Sequence, residues 1–374
     1  MDKPLAGLKV VELARILAGP WAGQLLADLG AEVIKIERPG GGDDTRAWGP
    51  PFAADGSAAY FHSCNRGKRS LAVDLATPDG QDRVRSLARD ADVLIENFKV
   101  GALARYGLDQ AALRALNPRL VYCSITGFGQ DGPYAARAGY DFIVQGIGGI
   151  MSLTGAPDGE PQKVGVAFAD IFTGLYAATA ILAALRGREA TGAGCHIDLA
   201  LLDAQVAVLA NQAMNYLVSG EPPRRLGNVH PNIAPYQTFA AADGHLIVAV
   251  GNDAQYRRLC ALLGRPQLGE EARFAANADR VANRDALTAE LAPLLAMRRR
   301  DELMAALASA GIPAGPINDL AEVFADPQVI ARGLRIERGG IAGIASPIVI
   351  DGCRQVADDP APSFCDEPQS ESTS

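Results

Sequence analysis

One carboxylate stands alone between two apolar stretches. Asp170 lies in Val164-Gly165-Val166-Ala167-Phe168-Ala169-Asp170-Ile171-Phe172-Thr173-Gly174. A short strand-like run precedes it, and Ile171 to Leu185 reads as an apolar helix ending at Arg186. At such a helix start, unpaired N–H groups and the macrodipole favour the ionised form. An ionised carboxylate in apolar surroundings is a candidate for chemistry. Asp is also an ordinary N-cap, so the rest of the chain has to decide.

Lys35, Arg38, Arg46, Arg66, Lys68, Arg69 and Arg105 cluster in the N-terminal part. In an acidic protein this local excess suits an anionic ligand such as a phosphorylated cofactor. Taken singly, each also reads as part of a solvated face. Gly127-Phe128-Gly129-Gln130-Asp131-Gly132 matches G-x-G-x-x-G after a strand. The dinucleotide reading lacks a clearly placed acidic partner downstream, and the first βα turn, Ala14 to Pro20, has no such fingerprint. These glycines read instead as shaping an active-site loop. No G-x-S-x-G and no P-loop occurs. His62-Ser63-Cys64 reads as structural, because adjacency in sequence is not catalytic geometry.

The elements that must position these residues alternate strand and helix. Leu8 to Leu13, Glu32 to Glu37, Ser70 to Leu75, Ala91 to Glu96 and Leu120 to Thr126 read as strands. Gln24 to Leu29 reads as a helix, and Thr77-Pro78-Asp79 as a helix start running through Arg89. Repeated βα units imply a parallel sheet covered by helices. Past Asp170, His196 to Leu201 reads as a strand and Asp203 to Leu217 as a helix. Composition shifts at Gly220 to Arg225. Tyr236 to Ala241 and His245 to Val250 read as a hairpin around Asp243-Gly244. Helices are expected over 253–263, 283–297 and 300–310, then a breaker segment at 311–316.

The chain has 374 residues, enough for two or three domains or one large α/β unit. A net charge of −8 argues against a nucleic-acid protein. Six widely spaced cysteines without C-x-x-C read as reduced thiols, and four histidines show no metal-ligand spacing. The start has no signal-peptide pattern, and the run after Asp170 is short for a membrane span. The expectation is a soluble cytoplasmic protein without metal, nucleic-acid or membrane partners.

In order and number, these segments resemble the class III CoA-transferases, the family of formyl-CoA transferase and carnitine CoA-transferase. The matching pieces are Gly7 to Glu12, Ala18-Gly19-Pro20, Gly30 to Gly40, Gly42 to Arg46, Asn65 to Ser70 and Glu96-Asn97-Phe98. Asn117 to Leu120, Gly127-Phe128-Gly129, Gly132-Pro133-Tyr134, Gly139-Tyr140-Asp141, the Asp170 segment and Thr191-Gly192-x-Gly194 complete the set. The implied fold is α/β: a Rossmann-like large domain with a parallel sheet, plus a smaller α+β domain. Two chains would interlock as linked rings in a homodimer. The expected divisions are a large domain over 1–200, a linker helix and linker over 201–224, and a small domain over 225–325. The chain would return to the large domain over 326–357, and 358–374 reads as a disordered tail.

The resemblance implies transfer of coenzyme A from an acyl-CoA donor to a carboxylic acid. Asp170 matches the nucleophile, which forms a mixed anhydride and then an aspartyl-CoA thioester. No tightly bound cofactor is implied; coenzyme A and acyl-CoA are substrates. Arg38, Asn97, Phe98 and Arg105 match the CoA groove, with Tyr140 and Asp141 in the same set. Arg15 and Leu17 match the acyl pocket, where formyl-CoA transferase has His and Gln. That enzyme's glycine-run lid is also missing between 220 and 260, so formyl-CoA is disfavoured as donor. Arg15 and Arg46 are candidates to hold the distal carboxylate of a dicarboxylic acyl group. Residues 42–52 are similar to those of succinyl-CoA-dependent members acting on glutarate or related diacids. The same family holds α-methylacyl-CoA racemases, whose Gly-His-Asp reads Gly139-Tyr140-Asp141 here. Tyrosine, with a reference pKa of about 10, is a poor base at neutral pH. A non-catalytic CoA-binding protein is the third reading. Family members also continue past Pro362 into a Gly-Glu-His-Thr segment and a last helix, where this chain has Ser363-Phe364-Cys365-Asp366-Glu367.

Overall fold

The computed structural model describes residues 3–364. Residues 365–374 of the expected tail lie outside the described residues. The chain divides into two compact units. One holds the residues up to Ile150, Lys163–Ala210 and those from Pro327 on; the other holds Met151–Gln162 and Asn211–Asp326.

The first unit is built on six strands: β1 (Lys9–Glu12), β2 (Glu32–Glu37), β3 (Lys68–Ala72), β4 (Val93–Glu96), β5 (Val121–Thr126) and β6 (His196–Ala200). Their order is β3-β2-β1-β4-β5-β6, and every pair is parallel. The order reverses between β1 and β4. Loops leaving the carboxyl ends of those strands therefore flank a crevice, where doubly wound sheets bind ligands. Side chains alternate across the sheet. Val10, Val33, Ile95 and Val121 pack on one face with Leu26 and Ile181; Val11, Leu94 and Tyr122 pack on the other with Val84 and Leu113. Burial on both faces explains why the strands read as near-continuous apolar runs.

Local signals explain several helices. Thr77 accepts from the Gly80 N–H and Pro78 takes the first turn of the Pro78–Asp90 helix. The helix after Asp170 is longer than expected: it runs Phe168–Thr191 and ends at Gly192, whose φ of 72° gives the left-handed cap. Arg186 looked like its end. Arg188 anchors that last turn on Asp92 at 2.7 Å, so tertiary pairing extends the helix. By length and composition it would now pass as a membrane span; in this fold Ala169, Ala177 and Ile181 are buried in the core.

Three further differences have physical causes. The expected Asp203–Leu217 helix is two, Leu201–Ala207 and Ala210–Ser219, broken where Ala210 takes a φ of 46°. The expected 201–224 linker thus contributes its first helix to one unit and its second to the other. Residues 151–162 leave the first unit because the Gly227 N–H bonds the Gly155 carbonyl at 3.1 Å and Arg225 bonds the carbonyls of Ala156 and Gly159. Such returns are invisible to composition.

In the second unit, β7 (Tyr236–Ala241) and β8 (Gly244–Ala249) form the expected hairpin. The breaker segment supplies a third strand, β9 (Ala314–Pro316), pairing antiparallel with β8; its proline lies at an edge, where no ladder N–H is required. Helices Asp253–Leu262, Arg284–Ala296 and Arg300–Ser309 fall where expected. They bury Tyr256, Leu259, Leu291 and Leu303 against Phe239, Leu246 and Val248.

The long helix crosses Ala18–Asp28 at Gly174. A Cβ there would stand 2.7 Å from the Ala18 carbonyl and 3.0 Å from Trp21. Gly174→Ala should lower stability by about 1–3 kcal/mol through overpacking, read as a lower midpoint in chemical denaturation. An unchanged midpoint would show that the helices can part freely.

Candidate active site

Asp170 is the third residue of the Phe168–Thr191 helix, not its cap. The cap position is Ala167, which has no side chain to offer. Asp141 caps the helix from another segment: its Oδ1 accepts from the Ala169 N–H at 2.8 Å and the Asp170 N–H at 3.4 Å. The Asp170 carboxylate turns to the Ala18–Asp28 helix and accepts from the Ala18 N–H. Burial first, and then the Asp141 charge, push the Asp170 pKa up to about 7, outweighing the Ala18 bond. The bias towards the ionised form expected of a helix start is therefore reversed. The N–H groups of its own helix serve Asp141 instead.

A glycine contact puts Asp141 there. A Cβ on Gly127 would lie 2.5 Å from the Gly139 Cα, and one on Gly139 would lie 2.4 Å from the Gly127 Cα. Only glycines allow that approach. It clamps the exit of β5 against the residue just before Tyr140-Asp141. This is what the G-x-G-x-x-G segment does here.

The loop after β1 forms the other wall. Arg15 N–H donates to Asn97 Oδ1 at 2.9 Å, and Asn97 Nδ2 donates to the Arg15 carbonyl at 2.6 Å. The pair bridges the reversal between β1 and β4. Ile16 follows with a φ of 73°, a strained value for a β-branched residue. Its N–H donates to Asp43 Oδ2 at 3.2 Å, and its carbonyl accepts from Cys64 Sγ at 3.6 Å. Asp43 pairs with Lys35 at 2.9 Å, Lys35 with Glu12 at 3.0 Å, and Lys68 with Glu12 at 2.8 Å. All four of those side chains are buried.

Arg15, Arg38, Phe98 and Arg105 line one cavity of ≈ 250 Å³, with Leu13 and Val73 among its apolar walls. Asp44 bridges two of them, at 2.8 Å from Arg15 and 2.6 Å from Arg38. Asn97 orders the cavity through the Arg15 backbone. Leu17 is buried at the cap position of Ala18–Asp28, beside the N–H that Asp170 takes.

Other expected residues lie differently. Arg46 grips Glu37 at 2.8 and 2.7 Å, stacks 3.6 Å over Phe61 and donates to the Pro362 carbonyl. It has no fork left for a substrate carboxylate. Asp141 faces the Asp170 helix, and Tyr140 is 62% exposed. His62 bonds Ser57 at 2.7 Å, and burial pushes the Cys64 thiol up to about 11, so they form no catalytic pair. Of two aromatics near the site, Tyr60 went unread and Trp48 was read only as part of the 42–52 run. Tyr60 is close enough to Asp170 for that charge, after burial, to push its phenol pKa up, and Trp48 meets Tyr60 edge-on at 5.3 Å. Both lie in irregular sequence with no periodicity to mark them.

A family model described as CoA-transferase family III matches residues 5–364. The chain belongs to that family. It is 58% identical to a succinate–glutarate CoA-transferase of Agrobacterium fabrum, covering 93% of this chain and 89% of that protein. It is 44% identical to the human succinyl-CoA:glutarate CoA-transferase, over 90% of this chain and 76% of that one. Among solved structures, a CAIB/BAIF family protein from Brucella suis superposes with a TM-score of 0.87 at 60% identity, covering 97% and 96% of the two chains. The family III enzyme described here is thus a CoA-transferase of α/β fold acting on CoA thioesters.

The raised Asp170 pKa has a stability cost with a defined sign. Its folded value of about 7 lies above the ordinary 3.8, so the native state holds the proton longer. Stability must fall as pH rises from about 4 through about 7. Asp170→Asn should therefore gain stability over wild type at pH 8 and gain least near pH 4. A gain independent of pH, measured by thermal unfolding, would contradict this.

Proposed function

We propose that Asp170 is the nucleophile of a CoA-transferase that uses a dicarboxylic, succinyl-type donor and a diacid acceptor such as glutarate. One observation carries the reading: a desolvated carboxylate held against the first N–H of a helix, in a unit whose switch-point loops line an arginine-rich cavity. Asp170 attacks the thioester carbonyl, the C–S bond breaks, and CoA thiolate leaves a mixed anhydride. The thiolate then attacks the aspartyl carbonyl. This expels the donor acid and leaves an aspartyl-CoA thioester. The acceptor carboxylate reverses both steps and restores Asp170. Each step exchanges bonds of similar energy, so covalent catalysis suffices. During thiolate attack, negative charge gathers on an aspartyl oxygen. The Ala18 N–H, already bonded to that carboxylate, is suited to stabilise it.

We assign Arg38, Phe98 and Arg105 to the CoA groove, with Asn97 ordering it and Tyr140 at its exposed margin. Arg15 remains the candidate for the distal carboxylate, since Arg46 is engaged elsewhere. The names of the A. fabrum and human relatives support the succinyl and glutarate pairing. An interlocked homodimer and a cytoplasmic location belong to the same proposal. The exposed apolar side chains Phe142, Ile143, Val166 and Val218 support the first, and the free cysteines among the described residues the second.

The deciding experiment incubates the enzyme with succinyl-CoA and looks for a hydroxylamine-sensitive CoA adduct by mass spectrometry. Wild type should carry it on Asp170; Asp170→Ala should carry none and lose transfer altogether. Transfer surviving in the purified variant would refute the nucleophile. Deuterium exchange at the α-carbon of a 2-methylacyl-CoA without transfer would favour the racemase reading. CoA binding without any adduct would favour a binding protein. A panel of diacid acceptors then fixes the pairing.

Arg38→Ala should raise the KM for acyl-CoA about 10–100-fold, the worth of one charge-assisted contact, and leave kcat near wild type. A loss confined to kcat would remove Arg38 from the groove.

A further inference from the structure

The carboxylate that caps the Asp170 helix is itself held by a buried amide. Gln145 is 0% exposed. Its Nε2 donates to Asp141 Oδ2 at 2.7 Å and to the Val166 carbonyl at 3.3 Å, while its Oε1 accepts from the Val164 N–H at 2.8 Å. Three contacts thus tie the segment entering the helix to the residue capping it. Asp141 passes the constraint on, since its other oxygen takes the Ala169 and Asp170 N–H groups. Asp141 and Gln145 lie on successive turns of the short Asp141–Ile147 helix, so one rigid element carries both.

We propose that Gln145 is the positioning residue for the nucleophile: through Asp141 it fixes where the Asp170 carboxylate stands relative to the Ala18 N–H. This rests on Asp170 being the nucleophile. Ala167 offers no cap of its own, so the first turn depends on this relay. A misplacement of about 1 Å at a reacting atom costs ~10²-fold in rate. Gln145 touches no reacting group, and its loss acts on kcat rather than on acyl-CoA binding.

The amide chemistry gives the relay a pH signature. Gln145→Glu keeps the shape and an acceptor for the Val164 N–H, but it sets a second carboxylate against Asp141. Two carboxylates at that distance oppose each other's ionisation, so one proton is held between them to higher pH than either would keep it alone. At acid pH a shared proton restores the bond; as pH rises the pair repels. The titratable groups nearby are Asp141 on the same helix, Asp170 on the long helix and Tyr60, whose phenol feels both carboxylates, with Lys163 beside Val164. The Leu201–Ala207 helix, packed on the Asp141–Ile147 helix, brings the methylenes of buried Gln205 against Gly148, and its Asp203 is exposed.

The test compares full-length wild type with Gln145→Glu and Gln145→Leu, using succinyl-CoA and glutarate. Gln145→Leu should lose kcat about 10²-fold at every pH with KM for succinyl-CoA unchanged. Gln145→Glu should lose little kcat relative to wild type at pH 5.5 and progressively more towards pH 8.5. The rate of aspartyl-CoA formation in a single turnover should fall in step. Wild-type kcat in a folded variant, a loss confined to KM, or a Gln145→Glu deficit independent of pH would each overturn the proposal. If Gln145→Leu does not fold, the pH course of Gln145→Glu decides alone; if neither variant folds, the residue holds the fold rather than the nucleophile and the proposal fails. A wild type that forms no adduct would instead fail the nucleophile reading itself.

Discussion

Everything around Asp170 depends on charges that water does not reach. Glu12, Lys35, Asp43 and Lys68 form one buried ionic cluster beneath the loop that follows β1. Burial pulls the Lys35 pKa down, but the carboxylates of Glu12, Asp43 and Glu37 outweigh it and hold it above its ordinary range. Burial and the neighbouring Lys35 charge leave Lys68 below its own. Removing one partner from such a cluster strands the rest and costs about 3–5 kcal/mol. The cluster also reaches the backbone. Lys35 holds the Ala14 carbonyl at 2.9 Å, Lys68 holds the Pro20 carbonyl at 2.8 Å, and Asp43 holds the Ile16 N–H between them. Both ends and the middle of the loop are pinned, and with them the Ala18 N–H that meets Asp170.

The large-scale plan was legible because its signals are local. A Thr-Pro start announced the Pro78–Asp90 helix, and alternating apolar runs announced the six parallel strands. Asp170 stood out because an isolated carboxylate in apolar sequence is costly unless it is used. Arg38 and Arg105 were legible in the basic excess, Arg15 and Phe98 only through the resemblance, and all four line one space.

What stayed hidden is relational. Arg46 and Arg38 look alike in sequence, yet one is consumed by Glu37 and Phe61 while the other is 60% exposed on its side chain. Asp141 matched a ligand-binding motif, but its partners lie 28 and 29 positions away on another helix. Segment 151–162 joins the second unit through a few backbone bonds that no composition encodes. Propensity describes a residue and its near neighbours. These assignments are settled by which groups remain unpaired after the chain has folded.

Asp44 gives the cavity a resident counter-ion. Its single carboxylate is shared by Arg15 and Arg38, so an anion approaching either of them competes with an acid already held close by. Such competition trims the free energy of capture without removing the attraction that guides the anion in. Where anions are bound and released in turn, a counter-ion held this close favours exchange over retention.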